Sequence, residues 1–285
     1  MAGEGTEHVI RVEDVYYEYP DGVEALRGVS MTVSSGEFVA IMGENGAGKT
    51  TLIKHFNGVL KPTRGRVLIK GRDTREHSVA GLSRIVGLVF QNPDHQLFGE
   101  TVYDEVAFAL RNFNFPMEVI ERRVEWALKM MELYRYKDRS PYSLSVGERK
   151  RLAIAAVLAY DPEIIVLDEP TAGQDYVQKE KISEILNLLR TMGKTVVIVT
   201  HDIEFVMEHV DRVYLMSEGR IIASAPPREL FTQQALLRRA HLLPPQPVRL
   251  ARVLFGERFA EYDIYDLDGL LDALFGGRHG GIEGI

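Results

Sequence analysis

The stretch GENGAGKTT, residues 43–51, decides how the rest of the chain is read. It fits the pattern G-x-x-x-x-G-K-[ST], follows an apolar run expected as a strand at Phe38–Met42, and opens a helix expected over Gly48–Asn57. Glycines let successive backbone N–H groups curl around phosphate oxygens. Lys49 supplies a point charge to the β- and γ-phosphates, and the Thr50 hydroxyl is a ligand for Mg²⁺. In that context the motif implies a nucleoside triphosphate site built on a strand, a loop and a helix.

Three further runs, IVGLVFQ (85–91), IIVLD (164–168) and TVVIVTH (195–201), are nearly all apolar and rich in β-branched residues. Such runs read as strands buried on both faces of a parallel sheet. Each ends in a polar residue: Gln91, Asp168 and His201. Ligands of open α/β sheets gather beyond the carboxyl ends of the strands, where these three residues point. Asp168 is suited to holding Mg²⁺ through water, and the adjacent Glu169 to orienting or deprotonating an attacking water. An Asp-Glu pair at a strand end is a weak signal alone and a strong one downstream of a P-loop. His201 becomes a candidate sensor of the γ-phosphate for the same reason.

Further strands are expected at Val9–Tyr17, Val29–Val33, Arg66–Ile69 and Arg212–Met216. Helices are expected at Val102–Asn112, Met117–Met131, Gly147–Tyr160, Val177–Met192 and Ile203–Glu208. Residues from about 92 to 150 therefore read as a helical insertion in the α/β core. The basic run Arg149-Lys150-Arg151 reads as a solvated helix face. LLPPQPVRL, 242–250, reads as a linker or helix break. After it comes a short helix carrying Leu267, Leu270, Leu271, Leu274 and Phe275, with Asp266 as N-cap and Gly276 as stop.

Composition narrows the function classes. The formal charge of the 285 residues is −7, against the basic excess that nucleic-acid binders carry, so no nucleic-acid partner is expected. With no cysteine, disulfides and thiolate metal sites are excluded. The start, MAGEGTEHVI, lacks the basic and apolar regions of a signal peptide, and no apolar run approaches the roughly 20 residues that span a bilayer. Any link to a membrane is expected to come through a partner.

Over about residues 8–235 the chain resembles the ATP-binding subunits of ABC transporters. The resemblance implies an α/β P-loop NTPase fold of ABC type, with a mixed sheet core, an antiparallel β subdomain and a helical subdomain at about 92–150. Residues 236–285 would be a small helical C-terminal extension. Gly43, Glu44, Asn45, Gly46, Ala47, Gly48, Lys49 and Thr50 match the family's Walker A loop, with Thr51 adjoining. Tyr19 in YYEYP matches the aromatic that stacks on adenine, although Tyr16 and Tyr17 compete for that role. Gln91 matches the glutamine that contacts Mg²⁺ and the attacking water. Asp168 and Glu169 match the Walker B pair, Asp175 the D-loop aspartate, and His201 the switch histidine. The implied cofactors are ATP and Mg²⁺, the latter held by Thr50, Gln91 and Asp168. The implied catalytic residues are Glu169, His201, Gln91 and Lys49.

LSVGE, 144–148, matches the family's signature, usually Leu-Ser-Gly-Gly-Gln. In the family two subunits sandwich two ATP molecules head to tail, so Ser145 and Gly147 would touch the nucleotide of the second ATP-binding subunit, an identical copy or a similar paralogue. Val146 and Glu148 depart from the pattern. A left-handed backbone at residue 146 would cost valine more than about 1–2 kcal/mol, so an ordinary backbone is expected there, with Gly147 making the close approach. Glu148 adds negative charge beside the loop, and its basic neighbours are expected to offset it.

The segment QNPDHQLFGETVYDEVAFAL, 91–110, resembles that of cobalt, nickel and vitamin importer ATPases of the energy-coupling-factor group, and the short extension fits that group. The partners this implies are an integral-membrane scaffold, or T component, and a substrate-binding membrane protein, with the ATPase peripheral on the cytoplasmic face. Other readings fit less well. The interval from Lys49 to Ser145 is too short for the coiled coil of a chromosome-maintenance ATPase. A translation-associated protein would usually carry two such cassettes, and a small-molecule kinase leaves LSVGE and His201 unexplained. Another ABC transporter type, or a weakly hydrolysing structural subunit, remains the alternative.

Overall fold

Strands buried on both faces set the architecture in the computed structural model, which describes residues 7–256, 258, 262 and 264–275. The chain begins with β1 (His8–Glu18), β2 (Glu24–Ser34) and β3 (Phe38–Gly43), then the short helix α1 (Lys49–Ile53). It continues through β4 (Arg64–Ile69), β5 (Arg72–Asp73), α2 (Val79–Ser83) and β6 (Val86–Val89). Three helices follow: α3 (Val102–Asn112), α4 (Met117–Met130) and α5 (Val146–Leu158). Next come β7 (Ile164–Asp168), α6 (Tyr176–Thr191), β8 (Thr195–Val199) and α7 (Ile203–His209). A hairpin of β9 (Arg212–Ser217) and β10 (Arg220–Ala225) precedes α8 (Pro227–Thr232), α9 (Gln234–Arg239), α10 (Gln246–Phe255) and α11 (Leu267–Phe275).

Two sheets result, one ordered β2-β1-β4-β5 and antiparallel, the other ordered β10-β9-β3-β8-β7-β6. In the second, β9, β3, β8, β7 and β6 run parallel and only the edge strand β10 is antiparallel. Alternation along β3 sorts the core: Phe38, Ala40 and Met42 face the helical side, Val39 and Ile41 the antiparallel sheet. The same period of two divides β7 and β8, as expected of strands buried on both faces. An ion pair clamps the two sheets together. Arg212 of β9 donates from Nε and Nη2 to Glu37 at 2.8 and 2.9 Å, and from Nη2 to the Thr32 carbonyl of β2 at 2.9 Å.

The structure departs from the sequence reading at α1, at β10 and around α10. Helix α1 ends at Ile53, short of Asn57, because the His55 ring takes the Thr51 carbonyl at 2.8 Å and the backbone N–H of His55 turns to Leu52. The edge strand β10 lacks an apolar signature because much of it is only half-buried. It is set by a two-residue turn, Glu218-Gly219, with φ of 47° and 76°, the geometry that matches strand twist. Within 242–250 the prolines start a helix instead of breaking one. Pro245 precedes α10 and Pro247 sits in its first turn, where a fixed φ and a missing N–H cost nothing. Asp266 does cap α11, accepting from the Gly269 N–H at 2.9 Å, while the expected stop, Gly276, lies outside the described residues.

Helices α3 and α4 pack on α5, and this helical insertion shares its core with the sheet through Val106, Leu110, Val124, Leu128 and Leu152. The same core extends to Leu237 and Ala240 of the α9 segment, while Ala251, Ile264 and Leu270 form a separate small cluster. Among the described residues no helix is long and apolar enough to cross a membrane. The inter-sheet clamp carries a testable consequence. Arg212→Lys keeps the charge but loses the fork, and is expected to cost roughly 1.5–3 kcal/mol in urea unfolding. An unchanged unfolding midpoint would show that the clamp contributes nothing.

Candidate functional site

The carboxyl ends of β3, β7 and β8 converge on a cleft of about 430 Å³ lined by Tyr19, Asn45, Gly46, Gly48, Lys49, Thr50, Thr51, Gln91, Asp168, Glu169 and His201. Between β3 and α1 the chain turns so tightly that only glycine fits at two positions. Gly43 has φ 150°, and a Cβ there would stand 2.1 Å from the Met216 carbonyl. Gly48 has φ 98°, and a Cβ there would stand 2.5 Å from the Ala25 carbonyl. Lys49 is buried, and its ammonium donates to the Gly43 and Glu44 carbonyls at 2.7 Å each. Burial holds its pKa below the ordinary lysine value, against the opposing pull of Glu169, Asp168 and Glu44. The Glu44 carboxylate pairs at 2.7 Å with His241, which ties this loop to the segment after α9.

Asp168 closes β7 and accepts from the Thr50 hydroxyl at 3.0 Å, joining the loop to the second strand. Burial raises its pKa; the Thr50 bond pulls the other way, and the neighbouring Glu169 charge adds to the rise. Its other oxygen, Oδ1, is buried and has no hydrogen-bond partner among the described residues. Glu169 lies in the left-handed region, φ 48°, a conformation that costs a residue with a side chain about 1–3 kcal/mol and persists where its surroundings enforce it. Its N–H donates to the Val199 carbonyl at 2.7 Å. Nδ1 of His201 lies 3.1 Å from Glu169 Oε1 and 3.0 Å from Oε2, and the hydrogen-bond angle is satisfied at Oε1.

Of the three tyrosines near the end of β1, Tyr19 borders the cleft, its hydroxyl 2.9 Å from that of Thr51. Tyr16 instead lies under the Arg64 guanidinium, and Tyr17 packs edge-on between Tyr19 and the buried ring of His55.

Ser145, Gly147 and Asp175 stand apart from this cleft. Ser145 caps α5 through a reciprocal box: its hydroxyl accepts from the Glu148 N–H, and the Glu148 carboxylate accepts from the Ser145 N–H at 2.9 Å. Glu148 is thus occupied as a cap. Burial works against its charge, but the Ser145 bonds, with Tyr136 and Arg151, outweigh it and hold the pKa below the usual value. Val146 is the first helical residue, 55% exposed, and is not among the residues with positive φ. Gly147 faces the turn before α6 and its first turn, where a Cβ would meet Gln174 at 3.1 Å and Gln178 at 3.2 Å. Asp175 caps α6 by accepting from the Gln178 N–H at 2.9 Å.

One sequence reading is overturned here. Lys150 and Arg151 are buried, not solvated. Lys150 donates to the Glu169 and Ala172 carbonyls at 3.1 and 2.7 Å, and Arg151 to the Met131 carbonyl at 3.1 Å and to Gln178. Backbone carbonyls at turns accept from these charges, and a charge run shows no sign of such partners. Only the dense apolar residues that follow, which bury the helix on most of its faces, hinted at it.

The donor set suits a hard divalent cation such as Mg²⁺. The orphaned, buried Asp168 Oδ1 and the adjacent Thr50 hydroxyl are oxygen donors of the kind Mg²⁺ takes, with room for water and phosphate. Among the described residues there is no cluster of three or more His, Cys, Asp or Glu able to enclose a metal by itself.

The family model for the ABC transporter domain matches residues 26–172. The chain is 44% identical over 249 residues to the energy-coupling factor transporter ATP-binding protein EcfA of Methanocaldococcus jannaschii, covering 87% of this chain and 89% of that protein. It is similar to the solved structure of cbiO1 from Clostridium perfringens, described as part of the ABC transporter complex cbiONQ. That match has a TM-score of 0.70 and 40% identity, covering 87% of this chain and 97% of the other. A dimeric ATP-binding cassette in a post-hydrolysis state, bound to ADP and Pi, matches with a TM-score of 0.70 and 32% identity over 76% of this chain and 98% of its own.

His55, beneath the tyrosine pair, makes the site's support sensitive to acid. Burial pushes its pKa from 6.5 down to about 4, against the opposing bond to the Thr51 carbonyl. Below 6.5 the unfolded chain takes up a proton that the folded chain refuses, so stability falls as pH drops toward 4. From about pH 7 to about pH 5 the loss attributable to His55 is roughly 2 kcal/mol. Denaturant unfolding of the protein and of His55→Gln at both pH values measures it. The variant should lack that share of the decline, and parallel curves would contradict the assignment.

Proposed function

Because the chain belongs to the ABC transporter ATP-binding family, we propose that it hydrolyses ATP as the ATP-binding subunit of an importer of the energy-coupling-factor type. The observation that carries this reading is the meeting of Lys49, Thr50, Asp168, Glu169 and His201 in one cleft at the ends of adjacent strands. Lys49 and the N–H groups of the 43–50 loop bind the phosphates, and Tyr19 stacks on the adenine. Thr50, Asp168 and Gln91 hold Mg²⁺, which when bound neutralises phosphate charge. Glu169 accepts a hydrogen bond from the attacking water and directs it at the γ-phosphate. His201, hydrogen-bonded to Glu169, orients that carboxylate and stabilises the charge developing on the phosphate.

Ser145 and Gly147 complete the phosphate site of a second ATP-binding subunit. Two features support this: they lie at the start of α5, away from the chain's own cleft, and a similar cassette was solved as a dimer with ADP and Pi. The N-terminus of α5 offers backbone N–H groups and a positive dipole end to an anion. Asp175 lies in the same dimer interface. Hydrolysis then depends on pairing, either with an identical copy or with a paralogue.

The dimer works at the cytoplasmic face of the membrane, where a scaffold subunit and a substrate-binding membrane protein take up a cobalt or nickel ion or a vitamin. Similarity to the EcfA and cbiO1 proteins supports the transporter class, and the helical insertion provides a surface for the scaffold.

Glu169→Gln tests the catalytic assignment. It keeps size and hydrogen bonding but loses the charge, so the variant should bind ATP and hydrolyse it at least about a hundredfold more slowly. Turnover equal to that of the unaltered protein would remove Glu169 from the mechanism.

A further inference from the structure

Lys150 is a charged side chain with no part in the chemistry above, yet it is only 8% exposed and sits one and a half turns along the helix that Ser145 caps. Its ammonium has three N–H donors, and all are directed at one short turn: the Ala172 carbonyl at 2.7 Å, Glu169 at 3.1 Å and, more weakly, Pro170 at 3.4 Å. Burying an ammonium is costly unless its donors are met, so this geometry is tightly constrained. The turn it grips begins at Glu169, whose positive φ requires enforcement by its surroundings.

Neighbouring contacts make the first turns of α5 and the segment from Glu169 to Gln178 one block. Gly147 admits Gln174 and Gln178 against the helix, and Arg151 hydrogen-bonds Gln178. Lys150 is the member of this block that reaches the backbone of Glu169 itself.

We propose that Lys150 is a positioning residue that couples the two ATP sites of the dimer, holding Glu169 of its own site and Ser145 of the partner's site in one fixed relation. The proposal rests on the shared-site reading above. A shift of the Glu169 turn in one site moves the carbonyls that anchor Lys150, and α5 carries that shift to the nucleotide facing Ser145. Arginine could keep some of these donors, whereas methionine fills the volume and takes the ammonium from all three carbonyls, leaving Glu169 only its turn bond from the Ala172 N–H.

Mixed dimers with a single live site separate the possibilities. In the first arrangement a Lys150→Met subunit is paired with a Glu169→Gln subunit, so the live site uses Glu169 of the substituted subunit. In the second, one subunit carries both changes and the other is unaltered, so the live site uses an unaltered Glu169 facing the substituted α5. Turnover should fall at least about tenfold in both arrangements, relative to the same dimers with Lys150 intact. ATP affinity should stay within about threefold, which also shows that the subunits are folded. Lys150→Arg should recover part of the rate in both.

A loss confined to the first arrangement means that Lys150 serves only its own turn, and no loss in either means that it positions nothing; each overturns the coupling. Ser145→Arg, put in place of Lys150→Met, checks the underlying reading independently. It should silence the second arrangement and spare the first. If it silences the first instead, the shared-site reading fails and the coupling with it. If Ser145→Arg behaves as expected while Lys150→Met does not, the coupling alone is wrong.

Discussion

Val199, at the end of β8, pairs in register with Ile41 of β3 on one side and Asp168 of β7 on the other. Much of the site follows from that alignment. It brings the loop after β3, the carboxylate that ends β7 and the histidine just beyond β8 to one level at the same edge of the sheet. The Thr50–Asp168 hydrogen bond and the Glu169 N–H bond to the Val199 carbonyl are local consequences. A one-residue slip in any of these strands would exchange its two faces and carry the end residues out of the cleft. The full burial of these strands, with Phe38 and Ile198 on one side and Ile41 and Val197 on the other, specifies the register against such a slip.

Much of this was legible in the sequence, for identifiable reasons. The loop of residues 43–51 needs glycine where the chain passes within about van der Waals contact of other backbone, and such positions leave a fixed pattern. Apolar runs ending in Asp168 and His201 are legible because burial on both faces suppresses the usual alternation. What escaped is what depends on distant partners. Lys150 and Arg151 read as solvated because their acceptors are carbonyls of turns far along the chain. The edge strand β10 rests on a turn more than on its side chains, and α10 begins among prolines that also suit a linker. The shortening of α1 is a contest for one carbonyl, won by the His55 ring.

Val146 and Glu148 become intelligible together. With Ser145 as cap, residue 146 is simply the first residue of a helix, where valine is unstrained and its side chain points to solvent. Glu148 stands at the third helical position, where a carboxylate reaches back to the cap N–H and also suits the helix dipole. The start of α5 is therefore capped by its own side chains. Ser145 is exposed and half-buried Gly147 lies against Gln174 and Gln178, while Lys150 fixes the same helix to the turn that holds Glu169. On the proposed function the chain carries two halves of chemistry, one lining its own cleft and one at the start of α5.

The central claim is that those halves belong to different sites, completed only when two subunits meet. It is tested by mixing a subunit disabled at its phosphate loop, Lys49→Ala, with one disabled at its outward-facing loop, Ser145→Arg, and assaying ATP hydrolysis of the isolated mixed dimer. Each variant alone should be inactive. The mixed dimer should regain turnover, because one of its two sites then combines an intact Lys49 with an intact Ser145. Mixed dimers that form and remain inactive would contradict the account.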